Sequence, residues 1–230
     1  MAIFYNPTII RDNLVLCLDA ANRKSYPGSG TTWTDLSGLG NNGTLVNGVG
    51  YNSGNGGSLV FDGTNTYVTI PRNANIIPTG DWTYECWFNL TTTTDPNYGQ
   101  SFFGNWGASS TGDFDIRKSG NNMIFFCYNS GNGLISSINA PYTFVAQQWT
   151  YFSLIRQSNT YNFYFNSQLA GSITNSTPVF DGSANMTIGV EGGGFSRFSG
   201  RMSNVRIYTR ALSASEISQN YNATKSRYGL

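Results

Sequence analysis

The chain has 230 residues, of which 39% are hydrophobic, 15% aromatic and only 11% charged, with a net charge of +1. A chain this long buries a sizeable core, whereas a disordered one combines weak hydrophobicity with high net charge. Near-neutrality, with thirteen Lys and Arg residues scattered along the chain, removes the electrostatic term on which nucleic-acid binding depends, so no nucleic-acid partner is expected.

No apolar run approaches the roughly 18 residues of a spanning helix, and residues 1–7 lack the charged and apolar regions of a signal peptide. No membrane insertion is expected, and the protein is read as made and kept in a cytoplasm. Cys17, Cys86 and Cys127 each sit in an apolar strand pattern. Their odd number, without a secretion signal, reads as free buried thiols.

Residues 1–12 have little strand periodicity but carry Phe4, Tyr5, Ile9 and Ile10, more apolar surface than a free tail exposes. Two readings stay open: an arm packed on its own domain, and an arm whose four apolar side chains contact a neighbouring subunit. Residues 14–18 form the first predicted strand. From Ala21 to Asn42 turn formers dominate, including Pro27-Gly28, which predicts a long loop anchored by Trp33 and Leu36. Residues 43–46 form a short strand that ends at Asn47-Gly48, a pair that tolerates the positive φ of tight turns.

Residues 58–61 and 66–70 form a strand pair around Asp62-Gly63, with Asp62 capping its own turn. Along residues 82–90, alternation sets Trp82, Tyr84, Cys86, Phe88 and Leu90 on one face, toward the core. Thr83, Glu85, Trp87 and Asn89 fall on the other. After an exposed loop over 91–99, strands are predicted at 101–106, 113–117, 122–128 and 134–138. A clearer meander follows at 149–156, 161–165 and 168–174, then strands at 186–190 and 198–208. Asn166-Ser167 fills a two-residue hairpin turn where Asn-Gly is the commoner pair.

Ser213 with Glu216 three residues later is a capping box, and the helix it opens carries Ile217 and Tyr221 on one face. About a dozen turn-spaced strands without a long helix give the fold class: all-β, a two-sheet antiparallel sandwich with a short C-terminal helix. The expected division is an N-terminal arm (1–12), the sandwich domain (13–210) and a latch helix with tail (211–230).

The stretch from Gly200 to Ile217, G-x-M-x-x-V-R-I-Y-x-R-A-L-S-x-x-E-I, resembles the closing signature of laminin-G-like jelly rolls in the concanavalin A-like lectin/glucanase superfamily. The segments at 14–20, 33–38, 41–45 and 59–71 resemble that family's opening strands, in order, so the resemblance spans roughly residues 14–222. Among its members the chain is similar to single-domain structural proteins of tailed bacteriophages. The resemblance implies a jelly roll in a non-enzymatic virion protein, a capsid decoration or head fibre. Such a protein acts through contacts with copies of itself, as a homo-oligomer, and with other virion proteins, and is located on the virion. The alternative is a tail-associated adhesin that binds host-surface glycans.

The resemblance also raises catalysis, because the superfamily includes glycosidases whose carboxylates share one strand as E-x-D-x-x-E or E-x-D-x-E. Here Glu85, Glu191 and Glu216 are far apart, and there is no histidine. Asp113 and Asp115 share a strand face without a glutamate at the required spacing and are read as solvated. No catalytic residue is expected. Relatives also hold a structural calcium with loop carboxylates, but Thr66 and Ser203-Asn204 stand where those carboxylates are common, so no cofactor or metal is expected. Aromatic residues beside Asn and Gly, the usual makings of a sugar platform, occur at Tyr98–Trp106, Tyr128–Asn132 and Gly192–Phe195. In so aromatic a chain such clusters arise by chance, core packing or subunit contact is their expected use, and no glycan-binding residue is assigned.

Overall fold

The computed structural model describes residues 7–77, 79–96, 98–105, 114–128, 134–176, 184–191 and 194–230. In chain order its strands are β1 (Leu14–Asp19), β2 (Thr32–Trp33), β3 (Gly43–Val46), β4 (Gly50–Asn52), β5 (Ser58–Asp62), β6 (Tyr67–Ile70), β7 (Trp82–Leu90) and β8 (Gln100–Gly104). They continue with β9 (Phe114–Ser119), β10 (Asn122–Tyr128), β11 (Leu134–Pro141), β12 (Trp149–Gln157), β13 (Thr160–Phe165), β14 (Gln168–Thr174), β15 (Met186–Ile188) and β16 (Ser199–Tyr208). One helix, α1 (Ala214–Thr224), follows.

The strands form two antiparallel sheets. The first runs β14-β13-β12-β7-β16-β5-β4, with β1 also paired to β16, and the second runs β11-β10-β9-β8-β15-β6-β3-β2. Each strand stretch expected from the sequence appears, and β2 and β4, pieces of two and three residues too short to have a period, bring the number to sixteen among the described residues. Trp33, expected as a loop anchor, belongs to β2 and is fully buried.

The late strand β16 lies in the middle of the first sheet. One side pairs with β7, and the other pairs with β5 and then with β1. Between Met202 and Val205 the register shifts. There the Ser203 hydroxyl donates to the Gly57 carbonyl, and the Asn204 amide donates to the Tyr228 hydroxyl.

Alternation on β7 holds as read, and Trp82, Tyr84, Cys86, Phe88 and Leu90 enter the core between the sheets. Its opposite face is buried as well, because α1 and residues 9–10 cover this side of the sheet and make a second apolar cluster around Trp87, Tyr151, Tyr208 and Ile217. The helix begins with the expected capping box: Ser213 Oγ accepts the Glu216 N–H, and Glu216 Oε2 accepts the Ser213 N–H at 2.8 Å. Trp87 stacks with Tyr221 and Tyr228, with ring centroids at 5.6 and 4.0 Å, and its indole N–H donates to Thr224 Oγ1 at 2.9 Å. Each such ring removes about 150–250 Å² from water, which is what holds so short a helix in place.

Ile9 and Ile10 are partly buried against this same cluster. The Ile10 N–H donates to Asn220 Oδ1 at 2.7 Å, and the Ile10 carbonyl accepts from Tyr208 Oη at 3.1 Å. Phe4 and Tyr5 lie outside the described residues. In the hairpin turn between β13 and β14, Asn166 and Ser167 both have positive φ, 49° and 65°, the mirror-image turn that the strand twist favours.

Candidate functional site

Strand alternation sends Val68 and Ile70 of β6, Phe114 and Ile116 of β9, and Met186 and Ile188 of β15 into the core. Tyr67, Thr69, Asp115, Arg117 and Thr187 therefore stand on the outer face of the second sheet. Register then aligns them. Thr32 pairs with Thr44, Thr44 with Thr69, Thr69 with Thr187, Thr187 with Gly104, Gly104 with Asp115, and Asp115 with Phe126. A single transverse row crosses from β2 to β10, of short residues as far as Asp115 and ending on the Phe126 ring.

The chain between β15 and β16 folds down onto this row. It is closed by pairing of Val190 with Arg197, by the Glu191 N–H donating to the Ser196 carbonyl at 3.2 Å, and by the Phe198 N–H donating to the Gly189 carbonyl at 3.0 Å. The loop comes down on Gly104, where a Cβ would be in ordinary van der Waals contact with Glu191 Cα at 3.4 Å. Glu191, Ser196 and Arg197 thus meet the strand residues. A cleft of about 320 Å³ opens among Tyr67, Thr69, Asn185, Thr187, Glu191 and Arg197.

Arg117 ties the strand side of the site to this loop. Its Nη1 donates to Ser196 Oγ at 2.8 Å and lies 3.8 Å from Glu191 Oε2, its Nε lies 3.4 Å from Asp115 Oδ2, and its guanidinium covers the Phe126 ring at 4.2 Å. Asp115, expected on a solvated face, is 1% exposed and accepts the Ser101 hydroxyl at 2.5 Å. The reason for the difference is tertiary: β8 and β10 flank β9, and the Arg117 side chain closes over the carboxyl. Burial pushes the Asp115 carboxyl up to about 7, against the lowering effects of Arg117 and Ser101. Asp113 lies outside the described residues.

A carboxyl tuned to about 7 beside a second carboxylate invites comparison with an acid–base pair. Glycosidase carboxyls, however, must flank the scissile bond and touch it. Here Asp115 is closed off by Ser101 and Arg117, and Glu191 Oε1 accepts the Phe195 N–H at 3.0 Å. The cleft offers hydroxyl, amide and guanidinium groups, a set suited to holding a polar ligand.

Two exposed aromatic rings stand beside the cleft loop. Tyr98 and Phe195, 65% and 58% exposed, meet edge to face with centroids 6.2 Å apart. They come from two of the three aromatic segments singled out in the sequence. In the first segment Phe102 and Phe103 belong to the core, and Trp106 lies outside the described residues. Residues 129–132 and Gly192 also lie outside, and of Tyr128 only the backbone is described. No sequence signal marked Thr69, Thr187, Ser196, Arg117 or Arg197, which are ordinary strand and loop residues until register assembles them.

The other sequence candidates take structural roles. Asp62 Oδ1 accepts N–H groups from Thr64, Asn65 and Thr66 and the Thr66 hydroxyl. Partial burial opposes ionisation, but these donors outweigh it and hold the carboxyl at about 2. Glu85 is buried against Arg206, Tyr151 and Asn220, and Glu216 serves the helix cap. Among the described residues no group of three His, Cys, Asp or Glu side chains is arranged to hold a metal. The three cysteines are buried and free of disulfides, and burial raises the Cys17 and Cys86 thiols. No helix among the described residues is long and apolar enough to cross a membrane.

The family model described as the concanavalin A-like lectin/glucanases superfamily, of laminin G type, matches residues 62–218. No curated protein matches the chain. Among solved structures, the binding domain of Paraclostridial Mosquitocidal Protein 1 is similar at 17% identity and a TM-score of 0.70, covering 93% of this chain and 52% of that one. The binding domain of Botulinum neurotoxin DC, solved in complex with rat synaptotagmin II, is similar at 15% identity and a TM-score of 0.73, covering 94% and 52%. Domain 4 of AbnA, a GH43 extracellular arabinanase from Geobacillus stearothermophilus solved in complex with arabinotriose, is similar at 19% identity and a TM-score of 0.68, covering 91% and 98%. The chain spans about half the length of the toxin binding domains and nearly all of the arabinanase domain. At these identities the likeness is one of fold.

Proposed function

We propose that this chain, which belongs to the concanavalin A-like lectin/glucanases superfamily, is a non-enzymatic lectin-like binding module displayed on a bacteriophage particle. Its outer-face cleft contacts glycans. The observation that carries the binding reading is a cleft of hydroxyl, amide and guanidinium groups whose loop, the source of Glu191 and Arg197, also carries Phe195 of the exposed Tyr98–Phe195 pair. Apolar rings stack on the C–H faces of sugars while such polar groups take the hydroxyls. That domain 4 of the arabinanase, of the same fold, was solved with arabinotriose supports it.

Display on a virion rests on the similarity of the chain, among laminin-G-like jelly rolls, to single-domain structural proteins of tailed phages. As a capsid decoration or head fibre, the module would act through contacts with its own copies and with other virion proteins. Ile9 and Ile10 are occupied within their own chain, so Phe4 and Tyr5 are the arm residues assigned to neighbours.

The binding reading is tested by a glycan array with the purified protein. Binding to a subset of glycans, lost in Tyr98→Ala and Phe195→Ala, is expected, and no binding at millimolar sugar overturns it. Copy number on purified virions separates the two placements: dozens to hundreds on the head mean decoration, a few at the tail mean adhesion. Deleting residues 1–6 should lower the assembly's sedimentation mass with an unchanged melting temperature. A full-length protein that sediments as a monomer overturns the arm contact.

A further inference from the structure

We propose that the cleft receives a sugar bearing a carboxylate, with Arg197 as the partner of that group. The inference rests on the glycan-binding reading of the same cleft and adds the class of glycan. It follows from which charges around the cleft already have partners. Arg117 is shared among Ser196, Asp115 and Glu191, and the Phe126 ring lies under it. Glu191 is held by Arg117 on one oxygen and by the Phe195 N–H on the other. Asp115 is closed by Ser101 and buried.

Arg197 is different. It lines the cleft, it is only partly exposed, and among the described residues its guanidinium makes no hydrogen bond or ion pair. Its Nη2 lies 3.1 Å from where a Cβ on Gly194 would stand, so the glycine leaves it room to lie flat along the loop. A guanidinium is itself a planar fork of donors that matches the two oxygens of a carboxylate. The neighbouring Glu191 decides against a dianion. One unpartnered cation beside one carboxylate favours a single negative charge over a phosphomonoester's two, and among singly charged groups the planar, two-oxygen carboxylate matches the guanidinium fork. The volume of about 320 Å³ lies near the lower end of ligand pockets, enough for a terminal sugar unit. Thr69, Thr187, Asn185 and Tyr67 line the remaining walls and would face its hydroxyls.

The test is calorimetric titration of the full chain with trigalacturonic acid, with 3′-sialyllactose and with the methyl ester of each. One acid should bind at least tenfold more tightly than its own ester, and the arm that does so distinguishes a uronic from a sialic acid. Arg197→Met should abolish the acid's advantage over its own ester and leave the melting temperature unchanged. Arg197→Lys should fall between, since an ammonium keeps the charge and loses the fork. Equal affinity for acid and ester, or a preference that survives Arg197→Met, overturns this inference while the glycan reading stands on the array. Absence of binding by both acids and both esters overturns the inference, and an empty array as well overturns the glycan reading.

Discussion

Arg206 Nη1 lies 3.1 Å from Glu85 Oε2 with the two side chains 2% and 0% exposed, which places an ion pair beneath the C-terminal helix. The Asn220 amide from that helix also donates to both Glu85 oxygens, and the Tyr151 hydroxyl donates to Oε1 at 2.5 Å. Removing one partner strands a charge away from water, so Arg206→Met should lower the unfolding free energy by about 3–5 kcal/mol. Replacing both, in Glu85→Leu with Arg206→Met, should recover part of the loss. Urea denaturation measures both variants. A single variant within about 1 kcal/mol of the parent would mean the pair is hydrated in solution.

Asp115 predicts a pH dependence at the other sheet. Its carboxyl has an ordinary value of 3.8 and sits at about 7 in the fold, so the folded state holds a proton that the unfolded chain has released. Stability therefore falls as pH rises from about 4 to 7 and is level above that. Asp115→Asn, which mimics the protonated form, should match the parent near pH 4 and be the more stable of the two at pH 8. Melting curves at the two values decide it, and equal differences at both would show that Asp115 is ionised throughout.

Glu216 and Asp62 set the acid limb with the opposite sign. Arg210 and the Ser213 cap hold Glu216 at about 2, and the Asp62 turn holds its carboxyl at about 2. Their stabilisation is fully present above about pH 4.5 and is lost as pH falls toward 2. Both groups are partly solvated, so the effect is small. Between pH 5 and 2.5, Glu216→Gln should lose less stability in urea than the parent, and an equal loss would remove the capping carboxylate from the account.

Ser167 holds a φ of 65° in the β13–β14 turn, a region that disfavours side chains. Ser167→Gly should relieve this strain. After the extra entropy of an unfolded glycine, it should raise stability by about 0.5–1 kcal/mol. A decrease would show that the serine makes a compensating contact in solution.

The alternation along Trp82–Leu90 determined the core face of the central strand, and the Ser213–Glu216 pair determined where the helix begins. Both are local: a period of two and a three-residue spacing are visible in any chain that has them. The motif from Gly200 to Ile217 likewise carried the family and, with it, the two-sheet plan. The second face of β7 was not legible, since burial of Glu85 and Trp87 depends on a helix that begins more than a hundred residues later. The cleft was not legible either. Thr69, Thr187 and Asp115 become neighbours only through strand register, and Arg197 reaches them only because the chain after β15 pairs back on itself at Val190 and Arg197. Sequence periodicity determines which side of a strand faces oil and which faces water. Only the pairing of strands distant in the chain decides which water-facing residues stand side by side, and a binding surface is made of those neighbours.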